Sequence, residues 1–134
     1  MNNSVILDKK LYSKKPVNTQ RDAHEYISKM VLDHDREHFI VLNLNARSIP
    51  ISVHIISIGT INANLVHPRE VFYQSIKRKA CSIIVAHNHP SGGLEPSEAD
   101  IMLTNRLKDA GKILGIEVND HLIMDRKGDY KSII

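Results

Sequence analysis

The chain predicts an α/β (α+β) domain, a single mixed β-sheet flanked by helices. Three observations carry this. Short apolar, β-branched runs at 39–44, 51–58 and 81–86 have strand length and are bounded by turn residues. Between and after them lie stretches whose apolar residues recur at helical spacing. The two signals alternate along the chain without any internal repeat, which packs helices onto a sheet rather than separating them into domains.

Taken in order, residues 1–18 are an arm with one possible strand, Val5-Ile6-Leu7, and a Lys-rich stretch ending at Pro16. From Thr19, the spacing of Ala23, Tyr26, Ile27, Met30 and Val31 predicts a helix to about Asp33, and the domain proper runs from 19 to 134. Strands at 39–44 and 51–58 flank the turn-like Ala46-Arg47-Ser48-Ile49-Pro50. Pro68 opens a helix to about Lys79, because proline suits the first helical position. Residues 81–86 form the central strand. A second long helix follows from Ser97 to about Leu114, then a strand at 116–124. Asp125-Arg126-Lys127-Gly128-Asp129 turns the chain into a last strand at 130–134.

Composition narrows the function classes. At 134 residues the chain is one domain, which buries roughly two-thirds of its unfolded surface and needs no staples. A single cysteine excludes a disulfide framework and the Pro-Cys-x-x-Cys centre of zinc deaminases; Cys81 reads as a small core residue opening a strand. No apolar run approaches membrane-spanning length and no signal peptide is visible, so the expectation is a cytoplasmic protein with no membrane partner. The net charge of +3 is modest, with lysines clustered at Lys9-Lys10, Lys14-Lys15 and Lys77-Arg78-Lys79. Aromatics make up 4% and Trp is absent, so stacking platforms for bases are missing; nucleic-acid binding is expected to be weak and non-specific.

The chemistry concentrates between His87 and Asp100. Two histidines two apart at a strand end project from one face and aim at one point. Pro90 and Gly92-Gly93 then reverse the chain, and a helix starting near Ser97 carries Asp100 on its first turn, able to swing its carboxylate back. His87, His89 and Asp100 would hold one zinc ion per chain with a fourth position open, the arrangement of catalytic rather than structural zinc. Ser97 and Asp100 also make a serviceable helix cap, which taken alone is the commoner meaning of such a pair.

His-x-His-Pro, followed by Ser-x-x-Asp with the Asp eleven after the second His, resembles the JAMM signature of the JAB/MPN metalloprotease superfamily. More narrowly, His87-Asn88-His89-Pro90-Ser91-Gly92-Gly93 with Pro96-Ser97 resembles the RadC-like branch. Gly59-Thr60-Ile61-Asn62, Val66-His67-Pro68-Arg69-Glu70, Gly115-Ile116-Glu117 and Asp120-His121 are similar to further segments of it, over roughly residues 20–134. The resemblance implies a cytidine-deaminase-like sheet layout and a zinc metallopeptidase, with zinc-bound water as nucleophile acting on a peptide or protein-conjugate amide. It also implies a glutamate general base where an early helix gives way to the first core strand. Glu37 fits that position, with Glu70 as the rival; Glu70 sits at a helix start, where it favours the dipole. Ser97 would hydrogen-bond the tetrahedral oxyanion.

Asn88 either binds substrate backbone or braces the loop, with bracing favoured, and His121 is either a ligand-orienting group or a buried, hydrogen-bonded histidine. His24, His34, His38, His54 and His67 lack ligand spacing and are expected at the surface or half-buried. The alternative from another class is a DNA-repair-associated or binding module that keeps its zinc and has little catalysis. Against it, the helix-hairpin-helix segment usual in RadC-like proteins is not found in these 134 residues.

Overall fold

The structure is a computed structural model and describes residues 7–9, 11, 13–31, 33–59 and 66–134. Among these residues six strands, β1 (Leu7–Lys9), β2 (Glu37–Leu44), β3 (Pro50–Gly59), β4 (Ser82–Asn88), β5 (Glu117–Met124) and β6 (Tyr130–Ser132), form one sheet in the order β1-β3-β2-β4-β5-β6. The pairing of β4 with β5 is parallel and every other pairing is antiparallel, so the sheet is mixed as expected. Helices α1 (Gln20–Ser28), α2 (Pro68–Lys77) and α3 (Glu98–Leu114) cover it.

Alternation along β2 shows how the layers form. Ile40, Leu42 and Leu44 pack with Ala23, Tyr26 and Ile27 of α1 in one cluster. Phe39 and Val41 face the other way, into a cluster with Val71 and Phe72 of α2 and Leu103 and Leu107 of α3. Helices on both faces explain why β4 is buried along its whole length and reads as an unbroken apolar run before its histidine.

The helices start and stop for local reasons. Thr19 caps α1 through a reciprocal pair with Asp22, and Ser97 caps α3 in the same way with Asp100. α1 ends at Ser28, five residues earlier than its apolar spacing suggests. Met30 and Val31 close the last turn with bonds to Ile27 and Ser28 and still pack on the α1 cluster, so the periodicity outlasts the helix. α3 ends at Gly115, whose φ of 72° is the left-handed cap conformation glycine adopts without strain.

Several expectations are corrected. The arm's strand lies at Leu7–Lys9, pairing with β3, two residues beyond the expected start; Val5 and Ile6 lie outside the described residues, as do Thr60, Ile61 and Asn62. Cys81 is exposed rather than in the core, because β4 begins one residue later. His38 and His54 are fully buried: His38 uses its ring to reach the Arg36 carbonyl, and His54 bonds Ser52 within a buried polar cluster with Asn43. Strand β4 runs two residues further than expected and takes in His87 and Asn88.

The return from α3 to β5 is tight at Gly111, where an added Cβ would lie against the Ile116 carbonyl oxygen, far inside van der Waals contact, with Phe72 and Val118 close behind. Gly111→Ala is therefore expected to lower stability by about 1–3 kcal/mol, the usual range for overpacking. Urea unfolding at neutral pH checks this; a midpoint equal to that of the unaltered protein would mean that the α3–β5 connection yields freely.

Candidate metal centre

The end of β4 is held on both sides. His87 lies opposite Phe39 of β2 and Ile123 of β5, and the His89 N–H extends the ladder by donating to the Met124 carbonyl at 2.8 Å. Beyond it the chain reverses through Gly92 and Gly93, with φ of 83° and 81° in the left-handed region that glycine tolerates. The reversal sets the N-terminus of α3 over the strand end.

His87, His89 and Asp100 meet there, each offering a ligand atom within 4.8 Å of the others. The two Nε2 atoms are 3.0 Å apart, and Asp100 Oδ2 lies 3.5 Å from His87 Nε2 and 3.6 Å from His89 Nε2. A tetrahedron built on Zn–N and Zn–O bonds of roughly 2.0–2.1 Å has edges of about 3.3 Å, so these atoms outline one of its faces. The donor set, two imidazole nitrogens and one carboxylate oxygen, suits a borderline cation such as Zn2+ better than Mg2+, which prefers oxygen throughout. His89 Nδ1 points at the Gly93 carbonyl at 3.2 Å, and a carbonyl only accepts, so the Nε2 lone pair of His89 is turned toward the other donors.

Asp100 combines the two roles the sequence suggested for it. Its Oδ2 accepts the Ser97 N–H at 2.9 Å, closing the α3 capping box, and the same oxygen completes the donor triangle. Burial works against its charged form but is outweighed by the adjacent His87 imidazole and by the Ser97 N–H it accepts, so the carboxyl sits well below the ordinary carboxylate range. Ser97 Oγ accepts the Asp100 N–H at 3.0 Å, which leaves the hydroxyl proton free to be donated elsewhere.

A cavity of about 320 Å³ opens over the triangle, lined by Glu37, Ser91 and Ser97 together with the three donors. Glu37 is the first residue of β2, directly after a turn rather than at a helix end, and it is half-buried. Glu70, in the first turn of α2, is not among the lining residues. Asn88 points away from the triangle, as its place between two ligands requires. Its Oδ1 accepts the His38 N–H at 2.6 Å and its Nδ2 donates to the Arg36 carbonyl at 2.9 Å, so the carboxamide bridges the backbone on both sides of Glu37. This is the bracing role expected for Asn88, here applied to the segment that carries the glutamate.

His121 of β5 lies behind the site. Its Nε2 faces His87 Nδ1 at 2.9 Å and its Nδ1 faces Thr104 Oγ1 at 2.7 Å. Sequence reasoning passed over Thr104; its only signal was its place one helical turn beyond Asp100. Asp120 accepts from the Ser132 hydroxyl and the His121 N–H and stands outside the triangle. His121 is fully enclosed, and burial, reinforced by the neighbouring His87, pushes its pKa down to about 3.

A sheet end presenting three converging donors to a cavity defines a class, the α/β domains with a candidate metal centre, and comparison with known proteins narrows it. The RadC-like JAB domain family matches residues 17–134, and the chain belongs to that family. A UPF0758 protein of Pelodictyon phaeoclathratiforme is 44% identical over 116 residues, covering 87% of this chain and 52% of that protein. One from Chlorobium chlorochromatii is 49% identical, covering 81% of this chain and 49% of its own length, and one from Staphylococcus carnosus is 43% identical, covering 90% and 52%. The chain thus spans about half the length of the curated relatives it matches.

The enclosure of His121 has a sign in acid. An unfolded chain protonates this histidine near its ordinary value of about 6.5, whereas the folded protein leaves it neutral down to about 3. Between those values the unfolded state binds the extra proton, so stability contributed at neutral pH is lost as the pH falls. Urea midpoints of metal-free protein are expected to fall from pH 7.5 to pH 5, and less steeply in His121→Gln. Equal slopes in the two proteins would contradict the assignment.

Proposed function

We propose that this chain is a zinc-dependent hydrolase of amide bonds, peptide or isopeptide, and that its partner is a peptide or a protein conjugate. The observation that carries this reading is the near-equilateral triangle of His87, His89 and Asp100 facing a cavity that Glu37 and Ser97 also line. Zinc held by three protein groups with a fourth position open lowers the pKa of water to about 7 and polarises a carbonyl.

The rest falls to the chain's own side chains. Glu37, half-buried on the cavity wall, takes a proton as water attacks the carbonyl carbon and returns it to the leaving amine. Ser97, its oxygen already accepting from Asp100, donates its hydroxyl proton to the developing oxyanion. Asn88 keeps the Glu37 segment in place through the flanking peptide groups. Among the described residues no helix is long and apolar enough to cross a membrane.

Glu37→Gln keeps the shape but accepts no proton, so cleavage of any amide substrate should fall roughly 100- to 10,000-fold while zinc content stays near one per chain. Asp100→Ala should lose zinc and activity together. Elemental analysis beside a peptidase assay checks both; full activity in Glu37→Gln would move the base elsewhere, and a zinc-replete protein without stoichiometric zinc would end the reading.

Nucleic-acid binding, in the same reading, is a minor electrostatic property of surface lysines. Binding to labelled duplexes should fade steeply with salt, and Lys14→Gln with Lys15→Gln should flatten that dependence by up to about 0.9 in slope for each phosphate that is no longer neutralised. Sequence-selective binding that survives high salt would instead favour the DNA-associated role.

A further inference from the structure

We propose that Thr104 and His121 are positioning residues that hold His87 in the one tautomer able to ligate a metal. The inference rests on the metal centre proposed above and adds to it two groups that touch no metal.

Hydrogen-bond direction sets the tautomers. Thr104 Oγ1 lies 2.9 Å from the backbone carbonyl of Asp100 and 2.7 Å from His121 Nδ1. A carbonyl cannot donate, and a hydroxyl has one proton, so the Thr104 proton goes to the Asp100 carbonyl; given to His121 instead, it would leave two oxygen acceptors opposed at 2.9 Å. Thr104 Oγ1 therefore accepts from His121, which fixes that ring's proton on Nδ1. His121 is fully buried, and a neutral ring protonated at Nδ1 carries a lone pair on Nε2. That lone pair faces His87 Nδ1 at 2.9 Å, so His87 donates from Nδ1 and its own Nε2 is left bare.

The consequence falls on the donor triangle. His87 Nε2 is the atom 3.0 Å from His89 Nε2 and 3.5 Å from the Asp100 carboxylate, and a ligating imidazole must offer a lone pair there. The relay has a fixed polarity, running from His87 through His121 and Thr104 to the Asp100 carbonyl. It begins at one ligand and ends on the backbone of another. Reversing any link puts a proton on His87 Nε2, where the metal belongs. The relay is shielded from bulk water: Thr104 is 3% exposed, His121 0% and His87 5%.

Thr104→Val against Thr104→Ser is the test, because valine matches threonine in shape and removes only the hydroxyl, whereas serine keeps it. Zinc affinity is measured by competition with a chromophoric chelator. Histidine tautomers of the metal-free proteins are read from imidazole ¹⁵N shifts, the His87 signals being assigned by their absence in His87→Gln. Outer ligand partners typically change metal affinity by roughly 10- to 100-fold, so Thr104→Val should weaken zinc binding by that factor and move part of the His87 proton from Nδ1 to Nε2. Thr104→Ser should restore both readouts. Unaltered affinity and tautomer in a folded Thr104→Val would overturn the relay while leaving the metal centre standing. Should Thr104→Val not fold, the unaltered protein decides: a His87 proton on Nδ1 in the metal-free state supports the relay, and one on Nε2 overturns it. A protein that takes up no zinc at all would instead defeat the metal centre, and the tautomer of His87 would still judge the relay.

Discussion

A strand turns successive side chains to opposite faces, and β4 uses that alternation to do two things at its end. His87 and His89 go to the face covered by α3, while Asn88 between them goes to the other and grips the β2 backbone around Glu37. All of this depends on register. His87 must stand opposite Phe39 on β2 and Val85 opposite His121 on β5. A slip of one residue would put Asn88 among the donors and both histidines in the α1 core, so the apolar pattern that fixes the sheet also fixes the site. The β4–β5 ladder carries a register shift between Ile83 and Ile84, and His121 stands behind His87 in the frame that follows it.

The second constraint is that one carboxylate oxygen serves two structures. Asp100 Oδ2 holds the Ser97 N–H and completes the donor triangle. The start of α3 and the metal centre are thereby a single unit. The helix cap fixes the aspartate in place without a metal, and the positive end of the helix favours its charge. Ser97, bound from the other side of the same cap, is held where its proton can reach the cavity.

What could be read from the sequence follows from how local each feature is. The convergence of His87, His89 and Asp100 rests on strand periodicity, one glycine-rich reversal and one helix start, all within fourteen residues, and the structure brings the three together. The mixed sheet flanked by helices was expected from alternating element signals, and the structure has it, with helices on both faces. The partners that the sequence did not name are non-local. Asn88 meets His38 and Arg36 across separations of 50 and 52 residues, and His121 meets His87 across 34, distances that no spacing rule spans. His38 and His54 are buried because their ring nitrogens find partners inside, which a polar residue type does not announce. Cys81 failed for a smaller reason, a strand boundary displaced by one residue, which is the usual precision of element ends.

The central claim is that two imidazole nitrogens and one carboxylate oxygen hold a single cation with a position to spare. X-ray absorption at the zinc edge of the loaded protein addresses it directly. The account predicts a four-coordinate shell of nitrogen and oxygen at roughly 2.0–2.1 Å, with the outer-atom scattering of two imidazoles and no sulfur. A shell containing sulfur near 2.3 Å, or an all-oxygen shell without imidazole, would contradict it.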